Sequence, residues 1–173
     1  MKQTFGNLTE KYNKIIVSEE YKKLRQEFEL ADIVLLIGSG GNISISEHMS
    51  SDLSRHTGKS VFSPLSLADF TIRDPLMKIQ NPYTRWIKKF VDLTDKKTIA
   101  IAISSSGSSE SLNDALSYAK TKGCMTWVIS GKNKCKDHSN IFIDVDYHHQ
   151  NEVISIMLMY HLIDDLGYNL PKI

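Results

Sequence analysis

The sequence predicts an α/β fold in which helices cover a parallel β-sheet. Apolar runs of strand length, such as Ile33 to Ile37 and Ile99 to Ile103, alternate with segments whose apolar residues recur at helical spacing. Strands separated by helices pair in parallel, and the helices then cover the sheet. Four strands are predicted in this way, with a short fifth strand at Ser60 to Ser63. A chain of 173 residues with no internal linker or repeat is expected to form one domain, with a helical segment over 1–30 and an α/β core over 31–173.

Composition excludes several classes of function. The formal net charge of +1 gives no electrostatic basis for binding nucleic acid or an anionic membrane. No stretch approaches the roughly 18 apolar residues of a membrane span, and the N-terminus has no apolar signal core. Cys124 and Cys135 are too far apart for a CxxC motif. We therefore expect a soluble cytoplasmic protein with no nucleic-acid or membrane partner.

The helices at the two ends of the chain point to self-association. Leu8 to Leu30 reads as one long amphipathic helix or as two helices joined near Val17 and Ser18. A final helix is predicted from His148 to Leu166, and its middle turns are apolar nearly all round. Such a helix is buried either centrally or in an oligomer interface. We expect a homodimer or a homotetramer.

A glycine-rich turn, Gly38 to Asn42, follows the first strand and precedes a helix. Glycine here lets a ligand approach the backbone closely, although the spacing is not that of GxGxxG. His48, Asp52 and His56 then recur at i, i+4 and i+8 on one helix face. His48 and Asp52 are either a base and its neighbour, two metal ligands, or a solvent-facing pair worth about 0.3–0.5 kcal/mol.

A hydroxyl-rich turn, Ser104 to Ser109, follows the strand that begins at Ile99. Backbone N–H groups and hydroxyls around a helix N-terminus form an anion site, and such turns lie at the carboxyl edge of a parallel sheet. The alternative is a plain helix cap. Because two such turns converge on one edge, the sequence predicts a phosphorylated ligand held without a lysine.

The remaining elements complete the alternation. Pro64, Pro75 and Pro82 bracket a stretch predicted to be an active-site loop with short helical pieces, and a helix begins at Pro82. The helix after the hydroxyl-rich turn ends at Gly123. Two later strands are predicted, at Cys124 to Ser130 and at Asn140 to Asp146.

The last helix carries two groups of polar residues whose roles the sequence leaves open. His148, His149, Gln150 and Glu152 cluster at its start, where they form either a cap or a site. His161 lies in the apolar part of the same helix. A lone histidine in that setting is more often an interior or interface residue than a catalytic one.

Together these motifs resemble the SIS (sugar isomerase) domain, specifically its phosphoheptose isomerase branch. GSGGNISISEHMSSDLSRHTGK resembles GNGGSxxxxxHFxxEL, and IAISSSGSSESLNDAL resembles GISTSGNSxNVxxA. VISGKN is similar to LTGKDGG, and QNEVISIMLMYHLID to QExHxxxxHxL. The resemblance covers Asp32 to Asp165 and implies a three-layer sandwich, with a five-stranded parallel sheet flanked by helices.

The resemblance also implies roles for individual residues. Asp52 stands where the family places a catalytic glutamate that moves a proton between C1 and C2 through an enediol. His48 matches a histidine that ligates zinc in some members; no other cofactor is implied. The substrate-binding residues implied are Ser104, Ser105, Ser106 and Ser109, which match the loop that holds the sugar phosphate, together with Ser39, Asn42 and Gln150.

Two departures from the family pattern bear on activity. Aspartate at 52 withdraws the carboxylate by one methylene, and misplacement on the scale of about 1 Å can cost on the order of 100-fold in rate. The partner histidine of the family falls at Leu158 or Met159, neither of which transfers protons. His161 lies within one turn of both and can substitute only if the helix is rotated or shifted.

Two hypotheses follow. One is an aldose–ketose isomerase that converts sedoheptulose 7-phosphate to a heptose 7-phosphate, with Asp52 as base and His161 or His48 as acid. The other is a non-catalytic phosphosugar-binding protein that serves as a sensor or a partner-binding regulator. The direction in which His161 points discriminates between them.

Overall fold

The computed structural model describes residues 5–64 and 81–170. Most of the predicted active-site loop between Pro64 and Pro82, including Pro75, lies outside these described residues. In the described part of the chain, no helix is long and apolar enough to cross a membrane.

The structure is a five-stranded sheet whose strands all run parallel, in the order β2-β1-β3-β4-β5. The strands are β1 (Ile33–Gly38), β2 (Ser60–Phe62), β3 (Thr98–Ser104), β4 (Met125–Ser130) and β5 (Ser139–Phe142). The helices described are α1 (Leu8–Ile16), α2 (Glu19–Leu30), α3 (Asn42–Thr57), α4 (Pro82–Val91), α5 (Glu110–Thr121) and α6 (His148–Asp165). The predicted α/β class and the count of five parallel strands are confirmed.

Apolar layers cover both faces of the sheet. On one face, α1, α2, α3 and α6 pack on side chains such as Leu36 and Ile101. On the other face, α4 and α5 pack on side chains such as Leu35 and Ala102. Every residue of β1 and β3 is buried, as expected for central strands of a parallel sheet covered on both sides.

The N-terminal segment forms two helices, so the second of the two predicted alternatives is correct. The break falls at Val17 and Ser18. Ser18 caps α2: its Oγ accepts a hydrogen bond from the Tyr21 N–H at 3.1 Å and donates one to the Ile15 carbonyl at 2.7 Å. A serine N-cap supplies the acceptor that a new helix start requires.

The strand predicted at Asn140 to Asp146 is shorter than expected, because β5 ends at Phe142. Beyond it, Asp144 adopts a φ of 58°, which takes the backbone out of the extended conformation. The chain still runs beside β4, since Ile143 N–H donates to the Ser130 carbonyl and Val145 N–H to that of Gly131, both at 2.8 Å.

Helix α6 buries one face rather than its whole circumference. Ile154, Leu158 and Leu162 are buried in the core, whereas Val153 is 39% exposed. Within one chain, the helix is therefore buried as predicted only on the face that packs on α1 and α3.

Candidate functional site

Both strand-end turns open into one pocket of about 250 Å³ at the carboxyl edge of the sheet. The first turn follows β1 and the second follows β3, and these strands are neighbours. The lining residues are Ser39, Gly40, Gly41, Asn42, Ser105, Ser106, His148 and Glu152. The predicted convergence of the two turns on one edge is therefore present in the fold.

The glycine-rich turn is tight enough to require glycine. A Cβ on Gly38 would lie 2.1 Å from the Asn42 carbonyl oxygen, and Gly40 has a φ of +61°. The Asn42 N–H donates to the Ser39 carbonyl at 3.3 Å, and α3 begins at once. The turn thus brings the N-terminus of α3 to the pocket.

Asn42 joins the two turns. Its Nδ2 donates to Ser105 Oγ at 3.0 Å and to the Ser39 carbonyl at 3.2 Å. Its Oδ1 accepts a hydrogen bond from Nδ2 of Asn151, a fully buried residue of α6, at 3.3 Å. A buried amide with both ends bonded holds one orientation, so the pocket wall is fixed from three elements.

The hydroxyl-rich turn is held by its own side chains. Ser104 Oγ accepts from the Gly107 N–H at 3.1 Å, and Ser106 Oγ accepts from the Ser108 N–H at 3.2 Å. Gly107 is required by its φ of +70° and because a Cβ there would lie 2.0 Å from the Asn133 carbonyl oxygen.

Main-chain donors of both turns are free to bind a ligand. Within residues 5–64 and 81–170, the N–H groups of Gly40, Gly41, Ser105 and Ser106 have no hydrogen-bond acceptor. No lysine or arginine of the described residues lines the pocket. Successive free N–H groups beside helix N-termini bind anions.

Three residues assigned to substrate binding are not among the lining residues. Ser104 is buried and its hydroxyl caps the turn. Ser109 is the N-cap residue of α5. The Oε1 of buried Gln150 accepts hydrogen bonds from the Asp146 and Tyr147 N–H groups, so it caps α6. Conversely, His148 and Glu152 line the pocket although neither was assigned to substrate binding.

Asp52 and His48 meet a third residue, Tyr160 of α6. The Tyr160 hydroxyl donates to Asp52 Oδ2 at 2.6 Å and lies 3.0 Å from His48 Nε2. The hydrogen bond to Asp52, followed by burial, raises the pKa of Tyr160. His48 Nε2 lies 3.5 Å from Asp52 Oδ2. We call these three residues the Asp52 cluster.

The Asp52 cluster is set apart from the pocket along α3. Asp52 follows Asn42 by ten residues, which at about 1.5 Å per residue is about 15 Å along the helix. None of the three residues lines the pocket.

The described neighbours of His48 do not by themselves complete a zinc site, and zinc at His48 stays a prediction. Zinc sites use at least three protein ligands from Cys, His, Asp and Glu. Within residues 5–64 and 81–170, His48 pairs with one such ligand, Asp52, and no group of three or more of these residue types could hold a metal ion. The Tyr160 hydroxyl lies instead between the imidazole and the carboxylate.

His161 packs between two tyrosine rings of the N-terminal helices. The ring centroids of Tyr12 and Tyr21 lie 5.7 and 5.4 Å from that of His161. Burial raises the pKa of both tyrosines. Within its own chain, His161 therefore lies in the α1–α2–α6 contact and not at the pocket.

Comparisons with known proteins identify the fold. A scan against protein-family models found no matching family, and no curated protein matches the sequence. A phosphoheptose isomerase from Francisella tularensis has a TM-score of 0.74 at 15% identity, covering 92% of each chain. One from Neisseria gonorrhoeae has a TM-score of 0.71 at 16% identity, covering 92% of this chain and 91% of that one.

A third neighbour is the Vibrio vulnificus NanR protein complexed with ManNAc-6P, with a TM-score of 0.66 at 12% identity over 94% of this chain and 60% of that chain. The described chain has the fold of the sugar isomerase (SIS) domain, as the resemblance implied. Among proteins of this fold, it is similar to the phosphoheptose isomerases over nearly the full length of both chains.

Proposed function

We propose that the protein binds a phosphorylated sugar in the pocket between the two turns. The observation that carries this proposal is that Gly40, Gly41, Ser105 and Ser106, whose N–H groups have no acceptor among the described residues, all line one pocket. Main-chain donors and serine hydroxyls suit a phosphate that is held without a cationic side chain. The structural neighbour in complex with the phosphosugar ManNAc-6P supports the same ligand class.

Replacing both Ser105 and Ser106 by alanine tests the pocket. We expect the double variant to bind sedoheptulose 7-phosphate at least about tenfold more weakly, because two hydroxyl donors to a charged group are lost. Isothermal titration calorimetry against a panel of sugar phosphates measures this, with inorganic phosphate and the unphosphorylated sugar for comparison.

Ser108→Ala is the matched control, because Ser108 is exposed on the same turn and does not line the pocket. Equal affinity of the wild type and the double variant would remove the assignment of the phosphate to this turn.

The Asp52 cluster favours a second candidate, an aldose–ketose isomerase of the phosphoheptose type. In this proposal, Asp52 takes a proton from the carbon beside the carbonyl while an acid protonates the carbonyl oxygen, giving an enediol. The former carbonyl carbon then takes up a proton while the hydroxyl on the neighbouring carbon loses its proton, which gives the isomer. In an open-chain seven-carbon sugar 7-phosphate, C1 and C2 are the carbons farthest from the phosphate, so with the phosphate in the pocket they are the carbons that extend toward Asp52.

The acid in this candidate is His48 or Tyr160, both in contact with Asp52. His161, the other acid predicted from the sequence, packs against Tyr12 and Tyr21 instead. That placement favours the binding function over catalysis through His161.

Incubation with sedoheptulose 7-phosphate distinguishes the two candidates. If the isomerase proposal is correct, aldose product forms, and Asp52→Asn lowers kcat by at least about 100-fold while the affinity for the sugar phosphate stays within about threefold. Asp165→Asn, at the far end of α6, is the control. Binding without turnover at micromolar enzyme would leave the sensor or partner-binding regulator as the function.

The proposed setting is a cytoplasmic homodimer or homotetramer that binds no nucleic acid. The partly exposed apolar face of α6, which includes Val153, supports self-association.

A further inference from the structure

One carboxylate, that of Glu152, lines the pocket. Glu152 lies in the second turn of α6, and its side chain is 25% exposed. A Cβ on Gly41 would lie 2.3 Å from Glu152 Oε1. The carboxylate therefore lies directly against the glycine-rich turn.

Glu152 and the hydroxyl-rich turn provide opposite kinds of group to the ligand. Ser105 and Ser106 present hydroxyls and free N–H groups, whereas a carboxylate only accepts hydrogen bonds. The described groups that face the carboxylate are His149, whose Nδ1 lies 3.2 Å from Oε2, and His148 on the pocket wall. No lysine or arginine among residues 5–64 and 81–170 lines the pocket, so no permanent cation of these residues neutralises the carboxylate there.

We propose that Glu152 determines which phosphosugars the pocket accepts: monophosphates whose remaining part is uncharged or cationic and offers hydroxyl or amino donors. This inference rests on the proposed phosphosugar binding. The phosphate lies at Ser105 and Ser106, on the side of the pocket away from Gly41 and the carboxylate beside it, and hydroxyl or ammonium groups of the sugar donate to the Glu152 carboxylate. A second phosphate or a carboxylate on the ligand is rejected, because two like charges in a partly buried pocket repel and both lose water.

Pairs of ligands that differ by one anionic group test the inference. The pairs are glucose 6-phosphate against 6-phosphogluconate, and sedoheptulose 7-phosphate against sedoheptulose 1,7-bisphosphate. By calorimetry, we expect the wild type to bind the monophosphate of at least one pair at least about tenfold more tightly than its more anionic partner. Glu152→Gln keeps the shape of the side chain and removes its charge, and we expect it to reduce that ratio to about twofold or less, chiefly by strengthening the binding of the anionic ligand.

Glu110→Gln is the control. Glu110 is an exposed carboxylate in the first turn of α5, close to the hydroxyl-rich turn but outside the pocket lining. Glu110→Gln should leave the ratio of the two affinities in each ligand pair the same as in the wild type. Thermal unfolding of each variant verifies that it is folded.

Three results would overturn the inference in distinguishable ways. A wild type that binds both members of each pair equally, or a Glu152→Gln variant that keeps the wild-type ratio, removes the role of Glu152 and leaves phosphosugar binding intact. A wild type that binds no sugar phosphate at all removes the proposed function together with the inference.

Discussion

The Asn42 side chain makes hydrogen bonds to both turns and to α6. It donates to Ser105 on the second turn, donates to the Ser39 carbonyl on the first, and accepts from Asn151 on α6. Asn42 is only 2% exposed. If one of its partners is lost, bulk water therefore cannot replace the missing hydrogen bond. This amide therefore ties the two turns to each other and to α6, in addition to the backbone bond from the Ser39 N–H to the Ile103 carbonyl.

Two substitutions at Asn42 test how its hydrogen bonds and the absence of a charge at this position affect stability and phosphosugar binding. Asn42→Ala leaves the buried Asn151 amide without its partner, so we expect a loss of about 1–3 kcal/mol in the free energy of unfolding and weaker phosphosugar binding. Asn42→Asp keeps an acceptor for Asn151 but removes the two hydrogen bonds that Nδ2 donates and adds a negative charge beside the pocket, so binding should be lost even where the protein remains folded. Denaturant unfolding and calorimetry measure both effects.

Exposed Asn169 provides the control, since Asn169→Ala should change neither quantity. Wild-type affinity in Asn42→Asp would show that the anion does not bind beside this residue.

Neighbouring positions on α6 face different parts of the molecule, which explains where the sequence predictions fell short. One residue turns the side-chain direction by about 100°. Tyr160 therefore meets Asp52 on α3, while the next residue, His161, meets Tyr12 and Tyr21. Similarly, Gln150 caps the helix and Glu152 lines the pocket. The sequence indicated a polar helix start, but the rotation of α6 about its axis depends on its packing against α1 and α3.

A buried histidine between β4 and β5 makes stability depend on pH. His138 is 8% exposed; its Nδ1 lies 3.0 Å from Thr126 Oγ1. Burial lowers the pKa of His138 below its ordinary value of 6.5. As the pH falls below that value, the unfolded chain takes up a proton that the folded protein still excludes, so the free energy of unfolding decreases until the lowered pKa is reached.

Replacing His138 by glutamine removes this protonation step. We expect the decline in stability between about pH 7 and about pH 5 to become shallower in His138→Gln, because the group with the lowered pKa is gone. Chemical denaturation at several pH values measures the slope. The partly exposed His56, changed to glutamine, is the control; an unchanged slope in His138→Gln would contradict the prediction.

The whole fold was more predictable than the site. Continuous β-branched runs such as Ile99 to Ile103 mark strands buried on both faces, and the helices between them require parallel pairing. The positions of the two turns that line the pocket follow from that topology, since both strands end at one edge. Two features could not be predicted in this way. The end of β5 depends on the φ of Asp144, and the contact of Tyr160 with Asp52 depends on how α3 and α6 cross.

The free main-chain N–H groups at the pocket also bear on how far such a sequence can diverge. A binding surface made of peptide groups is carried by every residue type except proline, so most side chains around it can be exchanged without removing a donor. Only the positions that shape the backbone are constrained, such as Gly38 and Gly107, where any Cβ would strike a carbonyl oxygen. A chain that is 15–16% identical to proteins with the same fold can therefore differ from them at most positions of these turns and still present main-chain donors there.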